Sequence, residues 1–125
     1  MVTTGKAKKT RPMTVFNPGD VILISYPFGE GAGVRKRPAL VVSSSAFNQE
    51  TGELVIAQIT SRVSSTARPG DYAIAEWREA KLPRPALVRA RLATLARSLV
   101  LRRLGSLSEA DYRGALAALK AQLDG

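Results

Sequence analysis

Two short apolar runs constrain this chain more than anything else in it: Lys36-Arg37-Pro38-Ala39-Leu40-Val41-Val42 and Leu54-Val55-Ile56-Ala57-Gln58-Ile59-Thr60-Ser61-Arg62. Both are rich in β-branched residues, and each carries a cationic or hydroxyl group at one end, so they read as strands with a polar tip. Proline fixes its own φ and drives the preceding residue toward extended backbone, which places Arg37 at a strand mouth. In the second run, alternation puts Gln58, Thr60 and Arg62 on one face and Val55, Ala57 and Ile59 on the other; Ser61 turns toward that second, apolar face. If the two strands pair, a guanidinium and a hydroxyl converge on one bound oxyanion.

Turn chemistry divides the remainder. Asn17-Pro18-Gly19-Asp20 is a turn leading into a strand from Val21 to Tyr26, which Pro27 ends. Phe28 to Lys36 holds three glycines and reads as a loop ending in the basic triplet Arg35-Lys36-Arg37. A strand from Ala39 to Ser44, a connection from Ala46 to Gly52 and a strand from Glu53 to about Arg62 follow. Asp71 to Glu76 alternates as a fourth strand, Trp77 to Leu82 makes a helical turn, and Ala86 to Ala90 and Ser98 to Leu101 are two further short strands. Ser108 is a good N-cap with Glu109 and Asp111 behind it, and Tyr112, Leu116, Leu119 and Leu123 recur at helical spacing over about 14 residues. These elements predict a mainly β fold, a small SH3-like antiparallel barrel with a C-terminal α-helix. Residues 1–14 lack periodicity and read as a disordered basic arm, leaving 15–125 as the single domain.

Composition narrows the chemistry. The sequence has no histidine and no cysteine, which removes the usual general base, thiolate zinc sites and disulfides. Its ten acids are scattered, so a carboxylate metal site is not expected, no cofactor is expected, and Ser43-Ser44-Ser45 is no nucleophile elbow. The absence of an apolar segment near the N-terminus or of any run of about 18 apolar residues predicts a cytoplasmic protein with no membrane partner. Against those ten acids stand 19 Lys and Arg, thirteen of them arginine, for a net charge of +9. Such a surplus on a small domain points to a polyanionic partner: RNA, DNA or an acidic protein. One reaction remains open to arginine and threonine alone. When RNA's own 2′-hydroxyl attacks the neighbouring phosphorus, an electrostatic clamp on the phosphoryl oxygens with modest proton transfer is sufficient.

The ordered series Gly19-Asp20-Val21, Arg37-Pro38-Ala39-Leu40-Val41-Val42, Ala46-Phe47-Asn48, Ile59-Thr60-Ser61-Arg62 and Leu104-Gly105-Ser106-Leu107-Ser108 resembles the PemK/MazF family of type II toxin–antitoxin ribonucleases. The resemblance runs over roughly residues 17–123. It implies a homodimer of SH3-like barrels that cleaves single-stranded RNA (mRNA) sequence-specifically without metal, leaving 2′,3′-cyclic phosphate and 5′-hydroxyl ends, and that a small acidic antitoxin silences. Carried over by position, Arg37 stabilises the phosphorane or assists proton transfer, Thr60 binds the scissile phosphate or orients the attacking hydroxyl, and Ser61 completes the candidate catalytic set. Phe28, Arg35, Lys36, Gln58 and Arg62 are the candidate RNA-binding residues. The chain departs from better-known members in its C-terminal half, where Ala86 replaces a frequent serine and Arg91 stands near a usual glutamine. A non-catalytic module of the same fold, such as a CcdB-like gyrase poison or a degenerate PemK-like domain, is the alternative. Arg84, Arg89, Arg91, Arg97, Arg102 and Arg103 are compatible with RNA contact, antitoxin contact or a solvated surface.

Overall fold

The computed structural model describes residues 15–26, 35–61, 63 and 67–124. Within them six strands form one antiparallel sheet: β1 (Asp20–Tyr26), β2 (Arg35–Val41), β3 (Glu53–Thr60), β4 (Tyr72–Ala73), β5 (Leu87–Ala96) and β6 (Val100–Ser106). Helix α1 (Ser45–Thr51) links β2 to β3, and helix α2 (Glu109–Ala121) follows β6. The strand order is β4-β5-β3-β2-β1-β6. The mainly β class with a C-terminal helix is therefore as expected, but the sheet is not closed as a barrel: it ends on β4 at one side and β6 at the other.

Both faces of the sheet are covered, which is why the central strands are almost continuously apolar. Neighbouring residues go to opposite sides. Val21, Leu40, Ala57, Ile59 and Val88 pack toward Ala115 and Leu119 of α2. Ile22, Ile24, Ala39, Val41, Leu54 and Ile56 form a second core with Phe16 and Leu95. At about 25 cal/mol per Å2 of apolar area, two such cores are the main source of stability for a chain without cross-links.

Several elements differ from expectation for identifiable reasons. β2 starts at Arg35, four residues before the expected Ala39, so the basic triplet is strand backbone; Pro38 is accommodated because its backbone faces β3, where the ladder has already ended. The Ala46–Gly52 connection is a helix, capped by the Ser44 hydroxyl accepting from the Phe47 N–H at 3.1 Å and closed by Gly52 at φ 71°. The fourth strand is cut to Tyr72–Ala73 because the Ala75 and Glu76 N–H groups donate instead to the Asp111 carboxylate, at 3.0 and 2.8 Å. The two short strands expected after residue 86 are one long β5, a single 3₁₀ turn (Arg97–Leu99) and a β6 running on to Ser106. The Ser108 cap holds: its hydroxyl accepts from the Asp111 N–H at 3.1 Å and begins a 13-residue helix. No helix among the described residues is long and apolar enough to cross a membrane.

Candidate active site

Pairing between β2 and β3 is short, and the site lies where it stops. The ladder runs from Val41 opposite Ile56 to Ala39 opposite Gln58, while β2 remains paired with β1 as far as Arg35. The next β2 residue is Pro38, which has no N–H to give a ladder on that side. Continued by two residues, the same register aligns Arg37 with Thr60. Between these strand ends lies a pocket of about 170 Å3, lined by Arg37, Thr60, Ser61 and Arg84 with buried Ile59 and Leu82 on its apolar side. Guanidinium and hydroxyl thus meet in one cleft, in the arrangement that a clamp on a phosphoryl group needs.

Ser61 does not turn to the apolar face. β3 ends at Thr60, so strand alternation no longer governs the next residue, and Ser61 is exposed on the pocket's rim. Gln58 lies apart from this pocket, in a smaller notch that shares Arg37 and Pro38 with it and adds Arg91. Arg35 and Lys36 are exposed along β2, outside both hollows. Phe28 and Arg62 lie outside the described residues, as do the N-terminal arm and most of the glycine-rich loop.

Arg84 is the pocket residue that sequence reasoning left in an undivided set of six arginines. Its signal was local: it stands between Pro83 and Pro85, much as Arg37 stands before Pro38, so its backbone is restricted from both sides. Two others of that set belong to the scaffold. Arg89 of β5 pairs with Asp71 through Nε at 3.0 Å and a second guanidinium nitrogen at 3.1 Å, and both side chains are largely buried. The hydrogen bond from Arg89 holds the Asp71 carboxyl below the usual carboxylate range, and the same bond raises Arg89. Arg103 of β6 bonds Asp20 at 3.0 Å and the Val15 carbonyl at 2.6 Å, and lies over the Phe16 ring. Asn48, a member of the Ala46-Phe47-Asn48 motif, is also structural: it is buried, donates to the Phe16 carbonyl at 2.8 Å and accepts from the Ser43 hydroxyl.

The other charges sort the same way. Asp111 is 2% exposed and accepts from the Tyr72 hydroxyl at 2.7 Å as well as from two backbone N–H groups. Burial pushes its carboxyl up, but the bonds from Tyr72, Glu76, Ala75 and Ser108 outweigh burial and hold it below the ordinary range. The partner responds oppositely: bonding to Asp111, with burial, raises the Tyr72 phenol to about 12. Among the described residues Arg37, Arg84 and Arg91 have no carboxylate partner. No three acids there stand together as a metal cage would require.

Comparison with known proteins places the sequence and the fold. Residues 17–123 match the model of the PemK-like, MazF-like toxins of type II toxin–antitoxin systems. No curated protein matches the sequence as a relative. Among solved structures, MazF from Deinococcus radiodurans is 22% identical with a TM-score of 0.71, covering 90% of this chain and 100% of that one. The MazE–MazF complex from the same organism gives 25% identity and a TM-score of 0.70, over 89% and 98% of the two chains. An endoribonuclease from mycobacterial species is 22% identical with a TM-score of 0.69, over 90% and 94%. With the family model spanning nearly the whole domain and the pocket built on the strands that carry its motifs, the chain belongs to the PemK-like, MazF-like toxins of type II toxin–antitoxin systems.

Proposed function

We propose that this toxin is a sequence-specific endoribonuclease that cuts single-stranded RNA without a metal ion, by attack of the substrate's own 2′-hydroxyl. The observation that carries the proposal is the convergence of Arg37, Thr60, Ser61 and Arg84 on one pocket at the end of the β2–β3 ladder. The 2′-oxygen bonds to the adjacent phosphorus and the bond to the 5′-oxygen of the next nucleotide breaks. The 2′-hydroxyl proton is released and the leaving 5′-oxygen takes one up, giving 2′,3′-cyclic phosphate and 5′-hydroxyl ends. Arg37 neutralises charge on the pentacoordinate phosphoryl oxygens, Thr60 holds the scissile phosphate or orients the attacking hydroxyl, and Ser61 assists at the rim. Arg84 faces the same anion from the opposite loop.

The working unit is a homodimer, and the silencing partner is a small acidic antitoxin. The family membership supports both, the +9 charge supports the acidic partner, and the similar MazF from Deinococcus radiodurans has been solved with MazE.

Incubating a diverse RNA pool with the purified toxin in EDTA, and mapping the new ends, tests the reaction. Cleavage is expected to persist and to leave 2′,3′-cyclic phosphates. Arg37→Ala should slow it by about 10²-fold or more, the scale for losing one preorganised donor on a developing charge, while melting like the wild type. Thr60→Val should act in the same direction more mildly. Ends bearing 3′-hydroxyls, no cleavage of any sequence, or full activity in a folded Arg37→Ala variant would each overturn this assignment; the second outcome favours the non-catalytic module.

A further inference from the structure

We propose that Arg91 and Gln58 form a second phosphate-binding subsite, which takes the phosphodiester next to the one being cleaved. The inference deepens the ribonuclease reading and rests on it.

The notch begins with an irregularity in the sheet. Ala57 of β3 lies opposite Leu92 of β5, but the next residue, Gln58, lies opposite Arg89, so Ala90 and Arg91 face no residue of β3. Two extra residues in one strand form a bulge that leaves the ladder locally unpaired; because their number is even, alternation along β5 is kept. Ala90 packs against the core beneath α2, while Arg91 lies on the face that Ala93 and Leu95 share with Ile56 and Gln58. The bulge does not choose the face: an unbroken register would itself set Arg91 opposite Gln58, and what the bulge changes is that Arg91 has no backbone partner on β3.

The occupant follows from size and charge. The notch is lined by Arg37, Gln58 and Arg91 over the buried Ile24 and Ile56, and its free volume is about 10 Å3. That is the room one water-sized group occupies, too little for a nucleobase and suited to a single phosphoryl oxygen. Both cations are exposed and neither has a carboxylate partner among the described residues, so an entering anion displaces no ion pair. The Gln58 amide supplies a neutral donor from β3. Arg37 lines both hollows, which puts the notch one side chain away from the cleavage pocket. Neighbouring phosphates of one strand meet that requirement; an isolated anion would have no reason to.

The test measures binding of a mixed-sequence 2′-O-methyl oligoribonucleotide, which lacks the attacking hydroxyl, across a salt series. Wild type, Arg91→Ala, Gln58→Glu and Arg113→Ala are compared. The last removes an equal charge from the exposed face of α2, where Arg113 pairs only with Glu109. Each neutralised phosphate on a single strand contributes roughly 0.7 to the slope of log affinity against log salt. Arg91→Ala should therefore lower the slope by about 0.7 and weaken binding several-fold at low salt, and Gln58→Glu should weaken it further by placing a carboxylate in the notch. Arg113→Ala should leave the slope unchanged. In cleavage assays the Arg91 variant should raise KM with kcat preserved. If Arg91→Ala and Gln58→Glu both follow Arg113→Ala, the subsite is wrong although the ribonuclease stands. If the wild type binds no RNA at any salt, the ribonuclease reading falls and takes the subsite with it.

Discussion

At the residue scale, the chain separates arginines by what the fold gives them to hold. Arg89 and Arg103 are tied to Asp71 and Asp20, whereas Arg37, Arg84 and Arg91 end at the site with no acid beside them among the described residues. No rule of composition distinguishes the two groups, because the distinction depends on which aspartate the sheet brings near. Asp111 shows the same dependence. Its carboxylate replaces sheet partners for Ala75 and Glu76 and anchors Tyr72, so β4 ends where α2 begins to hold the chain. A folded carboxyl held below its unfolded value, near 3.9, stabilises the protein at higher pH, and that stability is lost as pH falls through the acidic range. Asp111→Asn should thus cost about 2–3 kcal/mol at neutral pH, because the amide's NH2 would face N–H donors it cannot accept from, and the variant's stability should decline less steeply below about pH 4. Denaturant titrations of both proteins between pH 3 and 7 check this. Parallel curves would remove Asp111 from the acid response.

At the scale of elements, α2 meets the sheet at a contact with no spare room. A Cβ added to Gly114 would lie 2.4 Å from Cε1 of Tyr72, the ring that Asp111 holds in place. Glycine to alanine inside a helix ordinarily gains up to about 1 kcal/mol, but overpacking a fixed ring costs about 1–3 kcal/mol. Gly114→Ala should accordingly lower Tm, and in a Tyr72→Ala background the same substitution should raise it. A gain in both backgrounds would mean that the helix shifts freely on the sheet. The elements also mark the limits of sequence reading. β1, β3 and α2 were legible because their apolar period and the Ser108 cap are local properties. β4 was overextended because its hydrogen bonds go to an aspartate 35 residues away, and β5 was cut short at Ala90 because a bulge leaves no local signature. The pair Arg37 and Thr60 was legible because proline and alternation act within a few residues. Arg91 needed the pairing of β5 with β3, and the division of Arg89 and Arg103 from Arg84 needed the tertiary contacts.

At the scale of the whole molecule, folding sorts charge. Three of the aspartates, at positions 20, 71 and 111, spend their charge inside the structure on arginines, a tyrosine and backbone N–H groups. The surplus of +9 is consequently expressed outward, and guanidiniums without a carboxylate partner among the described residues collect where the β2–β3 ladder ends. A cleft of one sign raises the local concentration of any polyanion and speeds its arrival. On the proposed function, an RNA strand and an acidic antitoxin segment would both be drawn to it, and silencing would need no conformational change: occupation of the cleft would be enough. Displacement of bound 2′-O-methyl RNA by the toxin's cognate antitoxin measures the overlap. Competition predicts complete release, with an apparent antitoxin affinity that weakens in proportion to the RNA added, and Arg37→Ala should weaken both partners. A ternary complex persisting when antitoxin and RNA are both saturating would place the antitoxin on another surface, and silencing would then have to act at a distance from the Arg37 pocket.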